Sequence, residues 1–277
     1  MLGKLLKHEF IATGRALLLV FASVIAVAAL TSLLGLALRP ADISVPLSTS
    51  DLMLTVIIPP LVLVNLTALG AALIVPFIVI VVRFYRNFLM AEGYLMFTLP
   101  VTRHQLILSK LIVAAVWYVV AWIVTTASAV IALAGWIPAD YWAENMWLFN
   151  ALFTGLTQHF DQGGLMFAMY IISMGIGTFS GALMVYFAMG LGQLANAHRV
   201  LLSIVTYFAL LVGTFVMTIM VTLPISLTSS LNSSVTDTQI FQETIISLAV
   251  SNVLSLVLAV AMYFGTEYLL RKRLNLL

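Results

Sequence analysis

The sequence predicts an all-α integral membrane protein with six transmembrane helices. Two observations carry that prediction before any motif is considered. The first is composition: 8% of the 277 residues are charged, 63% are hydrophobic, and the mean hydropathy is +1.15. An ordinary soluble domain has about 25% charged and about 45–50% apolar residues. With 12 basic and 10 acidic side chains, a 30.2 kDa chain cannot cover a water-soluble surface, but it can decorate the ends of membrane spans. The second observation is spacing. A bilayer core of about 30 Å takes roughly 20 helical residues, and apolar runs of that order recur six times.

The first span is Ala16–Leu38, preceded by Lys4, Lys7 and Arg15. It is longer than the roughly 7–15 residues of a signal-peptide core, so an uncleaved span is expected. Residues 1–15 read as an amphipathic interfacial helix, with Leu2, Leu5, Leu6 and Phe10 on one face. The second span is placed at Leu61–Val82, inside an apolar stretch, Leu52–Val82, interrupted by Pro59, Pro60 and Pro76. The double proline is expected to end an interfacial turn. The remaining spans are Leu111–Ala134, Leu165–Leu191, Val200–Leu223 and Thr244–Leu270.

Cations set the expected orientation, because loops on the cytoplasmic side retain an excess of Lys and Arg. With the N-terminus inside, 11 of the 12 Lys and Arg residues fall on the cytoplasmic side and only Arg39 outside. Both chain ends are therefore expected in the cytoplasm, and the two long outer loops, 135–164 and 224–243, contain no cation. Loop 135–164 carries Trp136, Trp142 and Trp147 with Asp140, Glu144 and Asp161. That composition fits an aromatic belt or a structured interfacial element. Loop 224–243 is rich in Ser and Thr and reads as turn-forming.

In the fourth span Ser173, Gly177 and Gly181 form a small-residue series on one helix face. Such a face lets two backbones approach closely, the main attraction available in lipid. It fits packing within the subunit or an interface between subunits. The 1–277 chain reads as a single transmembrane domain without an internal repeat.

Several chemistries leave no trace. The net charge of +2 and the absence of a basic stripe give no sign of a nucleic-acid partner. With no cysteine there is no thiol nucleophile or thiolate metal site. No lysine is followed by Ser or Thr, so the chain has no phosphate loop. The four histidines, at 8, 104, 159 and 198, lie outside the spans, and His159 with Asp161 makes at most a two-ligand metal site. The middle of every span lacks Asp, Glu, Lys, Arg and His, which argues against an ion-coupled carrier. Glu267 is expected to pair with Arg271 and Lys272 at the end of the last span.

The stretch from Arg83 to Lys110 is the longest connection on its side. "RFYRNFLMAEGYLMF" reads as an extension of the second helix, a break at Gly93, and a short apolar-faced helix stopped by Pro100. Thr102 and Gln105 then form a capping-box pattern before "LIL", so a new helix is expected to start near Arg103. The elbow so formed would present apolar side chains between cations, a shape suited to a groove on a cytosolic partner. A long loop that merely obeys the positive-inside bias has the same sequence.

Glu92 followed by "FTLPVTRHQLILSKL" resembles the region between the second and third spans of ABC-2-type permeases, the membrane subunits of ATP-binding cassette exporters. The resemblance extends to the cationic N-terminal helix, the six spans and the C-terminal cation cluster. It implies an ABC-2, type V exporter-like fold and a coupling region that docks on an ATPase subunit. By position that region would include Phe88, Glu92, Tyr94, Phe97, Pro100, Arg103, His104 and Lys110. It further implies a separate P-loop ATPase that carries the ATP and Mg, no cofactor on this chain, and a second permease, either a copy or a paralogue. The implied setting is a bacterial cell membrane and the implied activity is export of a drug, antimicrobial peptide or lipid-like substrate. This chain would itself be non-catalytic. A membrane scaffold or sensor that binds its partner through the same elbow is the competing expectation.

Overall fold

The computed structural model describes residues 2–38, 56–89, 101–137, 164–195, 198–230 and 237–272. Six long helices occupy them: α1 (Leu2–Leu38), α2 (Ile58–Phe84), α3 (Arg103–Ala134), α4 (Leu165–Gly192), α5 (Arg199–Ser230) and α6 (Asp237–Lys272). A π-helical turn, Tyr85–Leu89, continues α2. Each helix contains a segment long and apolar enough to cross a membrane, as the sequence predicts.

Some element boundaries differ from expectation. α1 runs unbroken from Leu2 to Leu38, so the cationic residues 2–15 are its first turns and not a separate helix. α2 begins at Ile58, which puts Pro59 and Pro60 in its first turn, where a missing N–H costs nothing. α5 passes through Pro224 to Ser230 and α6 starts at Asp237, so 224–230 and 237–243 of the expected 224–243 loop are helical, and residues 231–236 lie outside the described residues. Ser and Thr are compatible with helix because their hydroxyls can bond back to the preceding turn, as Thr218 does to the Thr214 carbonyl and Thr222 to that of Thr218 earlier in α5.

The helices fall into two compact units. One comprises residues 7–80 and 116–147, and holds most of α1, α2 and the later part of α3. Along α1, Leu17, Phe21, Val24, Ala28 and Thr31 are buried at spacings of three and four, a single stripe along one face. Trp117 of α3 lies between Phe10 and Phe21, with ring centroids 6.0 and 6.1 Å away, and donates its indole N–H to Thr13 Oγ1 at 2.9 Å. Gly14 leaves room for that indole: a Cβ there would stand 3.6 Å from it. Further along the same two helices the backbones of Gly35 and Gly135 touch, and a side chain at Gly135 would collide with the backbone of Ser32. α1 and α3 therefore run side by side in the same direction. Asn65 of α2 joins them by donating to Thr31 Oγ1 at 2.7 Å, which supplies a partner for an amide otherwise costly in lipid.

The other unit comprises residues 1–6, 81–115 and 148–277. It holds the end of α2, the π turn, the start of α3, and α4 to α6. α4 and α6 also run in the same direction: Asn252 donates to the Met169 carbonyl at 3.4 Å, Gly265 lies under Phe187, and Gly190 lies against Leu269. A Cβ at Gly265 would come within 2.5 Å of the Phe187 ring, so only glycine admits this approach. The buried stripe of α6, Asn252, Ala259, Met262, Thr266 and Leu269, keeps spacings of three, four and seven. α5 returns from α4 through His198, which adopts a left-handed φ of 57° and accepts the Leu202 N–H at 3.0 Å.

The small-residue face of α4 is not used for this packing. A Cβ at Gly177 or Gly181 would meet nothing within 4 Å. Within the described residues, the close helix approaches of α4 are made instead at Gly190 and Gly192, near its other end.

Candidate functional site

The site is built where α2 ends and α3 begins. α3 starts with the capping box that the sequence specifies. The Gln105 N–H donates to Thr102 Oγ1 at 3.4 Å, and the Thr102 N–H donates to Gln105 Oε1 at 3.3 Å. The Thr102 carbonyl accepts the Leu106 N–H at 3.2 Å. These reciprocal bonds satisfy donors that a helix start otherwise leaves open, and they fix the angle at which the chain enters the helix.

One turn further, α3 closes on a set of aromatic rings. Phe84 at the end of α2 stacks on Tyr186 of α4, with centroids 4.0 Å apart and planes 10° from parallel. Phe88, in the π turn, packs on Phe84 at 4.9 Å. Lys110 Nζ stands 5.2 Å from the Phe88 centroid, within cation–π range. The Tyr186 hydroxyl donates to the Lys110 carbonyl at 3.4 Å. Phe84, Phe88 and Tyr186 are all at most 1% exposed and Lys110 is 5% exposed. Three elements distant in sequence are thereby joined through one dry contact.

A second contact lies at the exposed edge of the start of α3. His104 Nδ1 shares a hydrogen bond of 2.9 Å with the Tyr263 hydroxyl, and His104 Nε2 lies 3.6 Å from Glu267 Oε1. The His104 and Tyr263 rings are stacked at 5.9 Å and 23°. Tyr263 and Glu267 are four residues apart on α6 and so occupy one ridge of it. Glu267, expected to pair with Arg271 and Lys272, thus meets His104, a residue 163 positions away by sequence number (267 − 104).

The residues expected in a coupling region are distributed as follows. His104 is on the surface of the first turn of α3, with its side chain 53% exposed. Arg103 is the first residue of that helix. Phe88 and Lys110 are expected to face a partner and instead are buried, because the π turn directs Phe88 at Phe84 and because Lys110 lies on the inward face of α3. Glu92, Tyr94, Phe97 and Pro100 lie outside the described residues, as do His159 and Asp161. Phe84, Tyr186, Tyr263 and Glu267 were not anticipated as members of the site. Among the described residues there is no group of three or more His, Asp or Glu side chains able to hold a metal.

Six apolar helices of spanning length define a multi-pass membrane protein. Residues 94–161 match the family model described as ABC-2 family transporter protein. That segment contains the capping box, His104, Lys110 and the whole of α3, and the match bears out the resemblance to ABC-2-type permeases read from the sequence. It supports a permease role for this chain as a transmembrane component of a transporter. No curated protein and no solved structure matches the chain.

Proposed function

We propose that this chain is the permease subunit of an ATP-binding cassette exporter, with residues 83–110 as the region through which an ATPase acts on the membrane helices. The observation that carries the proposal is the coincidence of two facts. The transporter-family match covers residues 94–161, and the start of α3 within it is locked by side chains to α4 and α6. A segment that receives force from outside the membrane needs stiff attachment to the helices that must move. A capping box and a buried aromatic contact supply it.

ATP is hydrolysed on a separate P-loop ATPase chain, the partner that the ABC-2 family implies. A second permease, either a copy or a paralogue, completes the membrane portion. Both ends of the chain face the cytoplasm of a bacterial cell, in line with the cation asymmetry. The substrate is hydrophobic or amphipathic, such as a drug, an antimicrobial peptide or a lipid-like molecule, because the spans are apolar through their middles.

Mild extraction of the protein from its native membrane, followed by mass spectrometry, tests this reading. A co-purifying P-loop ATPase with vanadate-sensitive hydrolysis is the expected result. Extraction in several mild detergents without any nucleotide-binding partner would overturn the proposal and leave a scaffold or sensor in its place.

A further inference from the structure

We infer that His104 is a positioning residue that passes movement of the coupling region to α6 and, through α6, to α4. The inference rests on the permease reading and adds to it a specific route. His104 is the second residue of α3, two positions after the capping threonine. It is the described side chain of that first turn with both ring nitrogens engaged by one other helix: Nδ1 with the Tyr263 hydroxyl at 2.9 Å, and Nε2 with Glu267 Oε1 at 3.6 Å. Two anchors four residues apart on α6 hold a planar ring against sliding along the helix and against rotation about it.

The opposite side of α6 completes the route. Gly265 is two residues from both Tyr263 and Glu267, hence about 200° around the helix from each. At that point α6 has no side chain, and the Phe187 ring of α4 sits directly on its backbone. One turn further, Leu269 lies on Gly190. A push delivered by His104 therefore meets α4 across a glycine contact, with no flexible side chain to absorb it. Close-packed contacts of this kind transmit displacement because they do not compress.

The His104–Glu267 contact is exposed on the histidine side, and an exposed pair of this type adds little to stability. Its significance is directional. Phe88, Lys110 and Tyr186 hold the same end of α3 to α4 from the buried side. His104 holds it to α6 from the exposed side.

The chain contains no cysteine, so two spin labels can be introduced without background. Leu108→Cys on α3 and Phe264→Cys on α6 place them at exposed positions, 37% and 57% exposed respectively. The distance between labels is measured by pulsed electron spin resonance in the intact complex with its ATPase, without nucleotide and after vanadate trapping. The parent and His104→Gln, whose amide can reach both partners, are expected to keep one narrow distance in both states. His104→Ala is expected to match the parent without nucleotide and to shift or broaden only after trapping.

Three results would overturn the inference. Identical behaviour of parent and His104→Ala after trapping would mean that the contact carries nothing. Broadening of His104→Ala already without nucleotide would make it an ordinary structural tether. Loss of trapping in His104→Ala would place the residue in hydrolysis and not in transmission. Failure of any ATPase to co-purify is a different result and would refute the permease proposal itself.

Discussion

Truncation of Phe84 to alanine probes the buried contact between α2 and α4 most directly. In a water-soluble core a Phe→Ala change costs about 3–5 kcal/mol, much of it lost transfer from water. That part shrinks in a bilayer, where lipid is as apolar as the protein interior. The ring contacts themselves remain. Phe84 makes two aromatic pairs, with Tyr186 at 4.0 Å and Phe88 at 4.9 Å. At about 0.5–1.5 kcal/mol per pair the loss is about 1–3 kcal/mol. Unfolding by sodium dodecyl sulfate in mixed micelles, followed through the intrinsic fluorescence of the 5 tryptophans, measures it. Phe208→Ala is the matched control: its ring is 59% exposed, and its removal is expected to change stability by less than about 0.5 kcal/mol. A double-mutant cycle of Phe84→Ala with Tyr186→Ala should return a coupling of about 0.5–1.5 kcal/mol. Equal costs for Phe84→Ala and Phe208→Ala, or a coupling of zero, would refute the stacked contact as a source of stability.

Three further substitutions test the glycine contacts and the start of α3. Gly265→Ala should destabilise by about 1–3 kcal/mol, because its Cβ would come within 2.5 Å of Phe187. Gly177→Ala, with nothing within 4 Å, should be neutral within the same micelle assay, and the reverse order would contradict the α4–α6 contact. Thr102→Ala should remove the capping box at a cost of about 0.5–2 kcal/mol. Hydrogen exchange should then quicken at the amides of Gln105 and Leu106 while α4 keeps its protection, and unchanged exchange at those amides would show that the cap does not hold the helix start.

The sequence made the membrane helices legible because a bilayer imposes one length and one solvent on every span. It also made the start of α3 legible, since Thr102 and Gln105 carry their own local hydrogen-bond chemistry and lie only three residues apart. Local rules failed where tertiary context decides. The Ser/Thr-rich stretch from 224 reads as a loop, yet α5 continues through Pro224 to Ser230. The site shows the same division. His104 and Lys110 could be singled out as polar residues after a turn in an apolar chain. Their partners could not, because Tyr186 is 76 residues from Lys110 and Tyr263 is 159 residues from His104. In a sequence that is apolar nearly throughout, the pattern does not distinguish a ring that packs on protein from one that faces lipid. That is why Phe88 reads as an outward ridge and is found fully buried. Ser173, Gly177 and Gly181 illustrate the converse, since a small-residue series states that close approach is possible and not where it occurs.

The shared direction of α4 and α6 has an electrostatic consequence. Aligned peptide dipoles leave about half a negative charge at the C-terminal end of each helix. Because Gly190 lies beside Leu269, the C-terminal ends of α4 and α6 lie at the same level and their dipoles repel. Arg271 is in the final turn of α6, and Arg199 opens α5 just after the turn that follows α4. A cation near such an end is worth about 0.3–1 kcal/mol. Arg271, in the last turn of α6, is thus placed to offset the charge of the paired helix termini. Replacing it by a neutral residue would weaken the packing of α4 on α6.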